Sequence, residues 1–234
     1  DSALRVMMGN LARGAARHDR CLEPLLSIWD SHHLRVSSRV MRSRDGANMV
    51  EDQLGWRVHS PTEKEVVASV ESGLQPDLSM DKLPMTCLLP LSFPIKRRDP
   101  RISGPLWIGS LGSQEAMSSM TEEKALMLCV PDYQEGDLLG WSEKDFEMER
   151  RRALRAIRNI EGESCVIDSA HHILVDDLSS WLEIGSPPSP TLMVEELRGR
   201  GYKASLAHYG KPSFRTNASW DDIVEGAIGL QPPM

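Results

Sequence analysis

Residues 2–42 most constrain what this chain can fold into. "SALRVMMGNLARGAARH" places Leu4, Met7, Met8, Leu11, Ala15 and Ala16 at helical spacing, with Arg5, Arg13 and Arg17 around the other side. "LEPLLSIWD" (22–30) then reads as a buried strand and "SHH" as a short turn. "LRVSSRVMR" (34–42) alternates apolar and polar residues as a half-exposed strand does. One helix and a two-strand hairpin are too small to bury themselves, so the unit predicts a sheet whose other strands lie upstream. The chain also opens at Asp1 without an initiator Met, directly in an amphipathic pattern, as the middle of a longer gene product does.

Further along, "GWRVHS" (55–60) predicts a strand. Ser60 as N-cap, Pro61 at N1 and Glu63 predict a helix start. Residues 72–105 hold six prolines and read as an irregular linker between two domains. "SQEAMSSMTEEKALML" is helical in pattern with a break near Ser119. Residues 142–163 form the clearest helix, with Ser142 and Asp145 as a capping box and Phe146, Leu154, Ile157 and Ile160 as its apolar stripe. "SAHHILVDDLSSWLEIG" continues as a helix with Leu174, Leu178, Trp181 and Leu182 inward and Gly185 at its end. Ser189 and Pro190 start another helix, ended by Gly199 or Gly201. "YKASLAHY", "GKP" and "SFRTNA" then read as strand, turn and strand, so the C-terminal outline is a wing-like α+β module.

Motifs exclude more chemistry than they support. Four cysteines, Cys21, Cys87, Cys129 and Cys165, sit far apart without a CxxC spacing, which argues against a zinc site and for the reducing cytoplasm. The pairs His32–His33 and His171–His172 lack an HExxH spacing, and adjacent residues rarely chelate one ion. There is no GxSxG elbow. "RISGPLWIGSLGS" (101–113) is glycine-rich but fits neither GxxxxGK[ST] nor GxGxxG, so it reads as a turn that buries Trp107 rather than a phosphate cradle. No apolar run approaches the ~18 residues of a membrane span.

A net charge of −7 argues against a surface that wraps nucleic acid throughout, yet 20 of the 27 cations are Arg and they cluster. Lys96, Arg97, Arg98 and Arg101 lie on a proline-stiffened loop. Arg198, Arg200, Lys203, Lys211 and Arg215 surround the last helix end and turn. Both groups are candidate phosphate contacts. Arg151, Arg155 and Arg158 share a helix face with nearby Glu residues and read as a solvated face.

Together these residues resemble one family, the tRNA guanine N2-dimethyltransferases, which use S-adenosyl-L-methionine to methylate guanine 26 of tRNA. Asp1, Leu4, Arg5, Ala15, Ala16 and Arg17 are similar to the family's acidic-x-x-Leu-Arg helix. "LEPLLSIWDSHHLRVSSRV" resembles its hairpin. Gly104, Pro105, Leu106, Trp107, Gly109 and Leu111 resemble its Gly-Pro-Leu-Trp-x-Gly-x-Leu signature, and "PSPTLMVEELRGRGYKASLAHYGKPSFRTNA" its C-terminal module. The resemblance implies α/β and α+β architecture. Residues 1–60 would be the closing helix and antiparallel strands of a class I (Rossmann-like) methyltransferase sheet, and residues 61–234 a tRNA-binding α+β domain. It also implies that the S-adenosyl-L-methionine pocket and the Asp-Pro-Phe-Gly-type catalytic motif lie upstream of Asp1, in the other half of the same polypeptide. The chain's share would be grip and sheet closure. The family's paired cysteines are missing here, and Arg215 stands where Lys is expected. The alternative is a non-enzymatic winged-helix-like nucleic-acid-binding module.

Overall fold

The computed structural model describes residues 1–30, 33–76, 82–128, 140–169 and 171–231. Helix α1 (Ser2–Ala16) turns Leu4, Met8 and Ala12 into the core. Its buried stripe is rotated from the expected one: Leu11 is 47% exposed and Arg5 is enclosed. Burial of Arg5 is tolerated because its guanidinium is well partnered. Nε meets the Asp1 carboxylate at 2.6 Å, and Nη1 donates to the carbonyls of Trp107 and Gly109 at 3.1 and 3.0 Å.

Strands β1 (Arg20–Asp30) and β2 (His33–Arg42) form an antiparallel two-stranded ribbon. Of the turn expected at 31–33, only His33 is described. β1 is mostly half-buried rather than buried, and β2 leaves Leu34 43%, Val40 58% and Met41 40% exposed. Short helix α2 (Arg44–Asn48), capped by Ser43, leads into β3 (Leu54–His59).

Helix α3 (Glu63–Glu71) starts two residues later than Ser60 implied. Its capping box is Thr62 with Glu65: the Glu65 amide donates to Thr62 Oγ1, and the Thr62 amide donates to Glu65 Oε2 at 2.7 Å. The proline-rich stretch is not an irregular crossing throughout. It supplies β4 (Thr86–Pro90) and β5 (Ile102–Trp107), which flank β3 in an antiparallel sheet ordered β4-β3-β5. The prolines fit because Pro90 ends its strand and Pro105 lies on an edge strand, where no ladder needs a further amide donor. Residues 77–81 of that stretch lie outside the described ones.

Trp107 is a core residue, packed with Leu4, Met8, Leu54 and Leu111, and its indole donates to the Ser110 carbonyl at 2.8 Å. A Cβ on Gly109 would stand 3.0 Å from that indole nitrogen, and Gly104 has φ +137°. The glycines therefore serve close packing and a turn, as expected.

Helices α4 (Gln114–Ser118) and α5 (Glu122–Leu128) show the predicted break; Cys129, assigned to this region, lies outside the described residues. Helix α6 (Glu143–Glu163) carries the Ser142–Asp145 capping box. The helix expected over 169–185 is instead strand β6 (His171–Leu174) followed by α7 (Val175–Leu182). Trp181 is 39% exposed rather than inward, and Glu183 at φ 55°, not Gly185, ends α7. Helix α8 (Pro190–Gly199), strands β7 (Ala204–Leu206) and β8 (Ser213–Thr216) and helix α9 (Trp220–Gly229) complete the chain. β8 is the buried centre of an antiparallel sheet ordered β6-β8-β7, with Phe214, Leu178, Met193, Leu197 and Ile223 in its core. No helix of the described residues is long and apolar enough to cross a membrane.

Candidate nucleic-acid interface

The loop between β4 and β5 carries Lys96, Arg97 and Arg98, all exposed, with no ion pair to a described residue. Arg101, in the same sequence cluster, is differently placed. It forks onto Glu65 at 3.1 and 3.2 Å and onto Asp99 at 2.8 Å, and also donates to the Ser60 carbonyl. Those bonds pin the base of the loop to α3, so Arg101 positions the three exposed cations beside it rather than adding a fourth.

The second cluster also divides. Arg198 donates to the Ala204 carbonyl at 2.8 Å, joining α8 to β7. Arg200 is shared among Glu196, Asp222 and Glu225. Lys203 and Lys211 are exposed, Lys211 at the tip between β7 and β8. Arg215 departs from the expectation of a surface phosphate contact, because its side chain is fully buried. On α6, the expected face of Arg151, Arg155 and Arg158 is exposed; Arg158 pairs with Glu122, and Arg150 and Arg152 beside the face pair with Glu147 and Glu149.

Arg215 belongs to a buried network that periodicity alone could not reveal. Glu163 accepts from Arg215 Nε at 2.7 Å, and its other oxygen lies 2.6 Å from His208 Nδ1. His208 Nε2 in turn lies 2.9 Å from the Ser27 carbonyl of β1. One carboxylate thus ties α6 to β8, to the β7–β8 turn and, through His208, to the first hairpin. Burial would raise the Glu163 carboxyl, but the Arg215 charge and the His208 hydrogen bond overcome it and hold it below the usual carboxylate range.

A cavity of about 780 Å³ lies where the start of α1, the far end of the hairpin, β4, β6 and α7 meet. His171 and His172, expected in a helix and rejected as a metal pair, both line it on the edge strand β6. Among the described residues, no three His, Cys, Asp or Glu side chains are grouped to hold a metal. An S-adenosyl-L-methionine pocket of the class I type sits at the carboxyl ends of parallel strands. Every ladder among the described residues is antiparallel, so these residues do not fit that cofactor.

The fold matches about half of a protein of known structure. Trm1 from Pyrococcus horikoshii, solved with S-adenosyl-L-methionine, matches 95% of this chain and 48% of its own, with a TM-score of 0.64 at 19% identity. The chain belongs to the N2,N2-dimethylguanosine tRNA methyltransferase family, whose model matches residues 1–227. Relatives named tRNA (guanine(26)-N(2))-dimethyltransferase include one from Aeropyrum pernix, 28% identical over 98% of this chain and 48% of that protein. One from Methanosphaerula palustris is 27% identical over 94% of this chain and 50% of that protein. The chain spans about half the length of these curated relatives.

Proposed function

We propose that this chain is the tRNA-gripping and sheet-closing part of a cytoplasmic, S-adenosyl-L-methionine-dependent tRNA (guanine-N2)-dimethyltransferase acting on guanine 26. The observation that carries the reading is the β1–β2 ribbon. Two strands alone are marginal in water, and β2 exposes Leu34, Val40 and Met41 along an edge with no described partner strand. A class I sheet contributed by the upstream half would cover that edge. The division of labour, with residues 1–60 completing the catalytic sheet and residues 61–234 holding tRNA, is functional rather than a break in packing. β3 precedes residue 60, and both of its partner strands follow it.

Within this reading Lys96, Arg97, Arg98, Lys203 and Lys211 are the phosphate contacts, and the α8–β7–β8 unit is the wing-like presenter of the last two. The sulfonium methyl would come from the cofactor in the upstream half. The residues here hold and orient the RNA, which a buried exocyclic amine of a base requires before any chemistry can reach it. The test compares this chain with the polypeptide that includes the upstream half, using a tRNA transcript and methyl-labelled S-adenosyl-L-methionine. The chain should bind tRNA without transferring methyl groups, and the longer polypeptide should yield N2-methylated guanine. Methyl transfer by the chain alone would overturn the reading.

A further inference from the structure

The turn between β7 and β8 is divided between core and surface. Ala207, His208 and Tyr209 are buried, while Gly210, Lys211 and Pro212 are exposed. Connections between strands ordinarily run over the surface. Here the first half enters the N-terminal core, where Ala207 and Tyr209 pack with Leu4, Met8 and Trp107. The Tyr209 ring also lies 6.0 Å, between centroids, from that of Trp29 on β1. A turn held this way presents Lys211 at a fixed place relative to the β1–β2 ribbon.

His208 supplies the directional part of that hold, which apolar burial cannot give. Its side chain is 1% exposed. The backbone amide donates to Glu163 Oε2 at 3.2 Å, and Nδ1 lies 2.6 Å from the same oxygen. On the other side Nε2 lies 2.9 Å from the Ser27 carbonyl. A carboxylate oxygen and a carbonyl both accept, so the bridge is complete when both ring nitrogens donate. The two ends reach different parts of the chain. The Glu163 end joins the turn to α6 and, through Arg215, to β8. The Ser27 end crosses 181 positions to the hairpin. The hairpin is the element that the upstream half would cover, and Lys211 is a residue assigned above to tRNA phosphate. The imidazole therefore stands between the part that reacts and the part that grips.

We propose that His208 is a positioning residue for methyl transfer, and that its hydrogen bond to Ser27 sets where tRNA held by the β7–β8 turn meets the catalytic half. This rests on the tRNA methyltransferase reading above. His208 acts through the placement of Lys211 rather than on the reacting atoms. Misplacing a bound substrate by ~1 Å costs about a hundredfold in rate, so a loosened bridge lowers turnover without removing the phosphate contacts.

The test uses the polypeptide that includes the upstream half, with three variants. His208→Phe removes both ring hydrogen bonds. His208→Asn places an amide where Nδ1 stands and keeps the Glu163 end; His208→Gln places one where Nε2 stands and keeps the Ser27 end. His208→Phe should lower kcat for tRNA methylation by roughly tenfold or more, with the Kd for tRNA changed by less than about twofold. His208→Gln should recover most of that loss and His208→Asn little of it. Urea denaturation should rank these two the other way, because the Asn variant keeps the partner of the buried carboxylate. A merely structural residue would make kcat follow stability. A kcat for His208→Asn equal to or above that of His208→Gln therefore overturns the proposal, and the comparison holds even where His208→Phe does not fold. Full turnover by the wild type and all three variants removes the positioning role alone. A wild-type polypeptide that transfers no methyl group to tRNA removes the methyltransferase reading as well.

Discussion

At the scale of single residues, Glu163 and Arg5 show how polar groups hold separate parts of this chain together. Arg5 reaches from α1 to the carbonyls of the Trp107 turn, and Glu163 reaches from α6 to Arg215 and His208. Glu163→Gln removes the charge that two buried basic groups face while nearly keeping the shape. Breaking a buried pair in this way costs about 3–5 kcal/mol. Urea denaturation should therefore show a loss of that order, whereas Glu147→Gln, on the surface of α6, should change stability by less than about 1 kcal/mol. Neither Glu163 nor Arg215 was legible as a pair, since they lie 52 positions apart and each sits in a sequence that reads as ordinary helix or hairpin.

At the scale of elements, helix starts were the most legible features because capping is local. Ser142 with Asp145 marks α6 correctly, and Ser189 with Pro190 marks α8. The miss at α3 was a choice between two adjacent hydroxyl-to-Glu spacings, and Thr62 with Glu65 is the one that closes both hydrogen bonds. β6 was hidden for a different reason. "HHILVDDLSSWL" carries a continuous helical pattern, and only pairing of His171–Leu174 with β8, far along the chain, pulls its first four residues into a strand. That strand has a measurable consequence. His171 is neutral in the folded chain with its pKa near 4, against 6.5 when exposed, so the unfolded state takes up the proton first as pH falls. Stability should be fully present above about pH 6.5 and decline toward pH 4, by roughly 3 kcal/mol from this group. Denaturation midpoints measured from pH 7.5 to 4.5 should show that slope, and His171→Phe should remove this group's share of it while the neighbouring His172 keeps a slope of the same sign.

At the scale of the whole molecule, the sequence conveyed the family through residues that pack rather than react. Trp107 and its glycines are core and turn, and the N-terminal Asp1–Arg5 pair is a staple. The basic sites were only partly legible, because a cluster of cations in sequence does not say which are free. Arg101, Arg198, Arg200 and Arg215 are taken up by internal partners, while Lys96, Arg97 and Arg98 remain exposed on a loop that Arg101 holds in place. The proposed grip of this loop on tRNA is tested most directly by the salt dependence of tRNA binding by the chain and by its Lys96→Ala, Arg97→Ala, Arg98→Ala triple variant. Removing one cation that neutralises a phosphate lowers the slope of log affinity against log salt by somewhat under 1, so the variant should bind more weakly with a slope reduced by roughly 2–3. An unchanged affinity and slope would show that the loop does not hold tRNA.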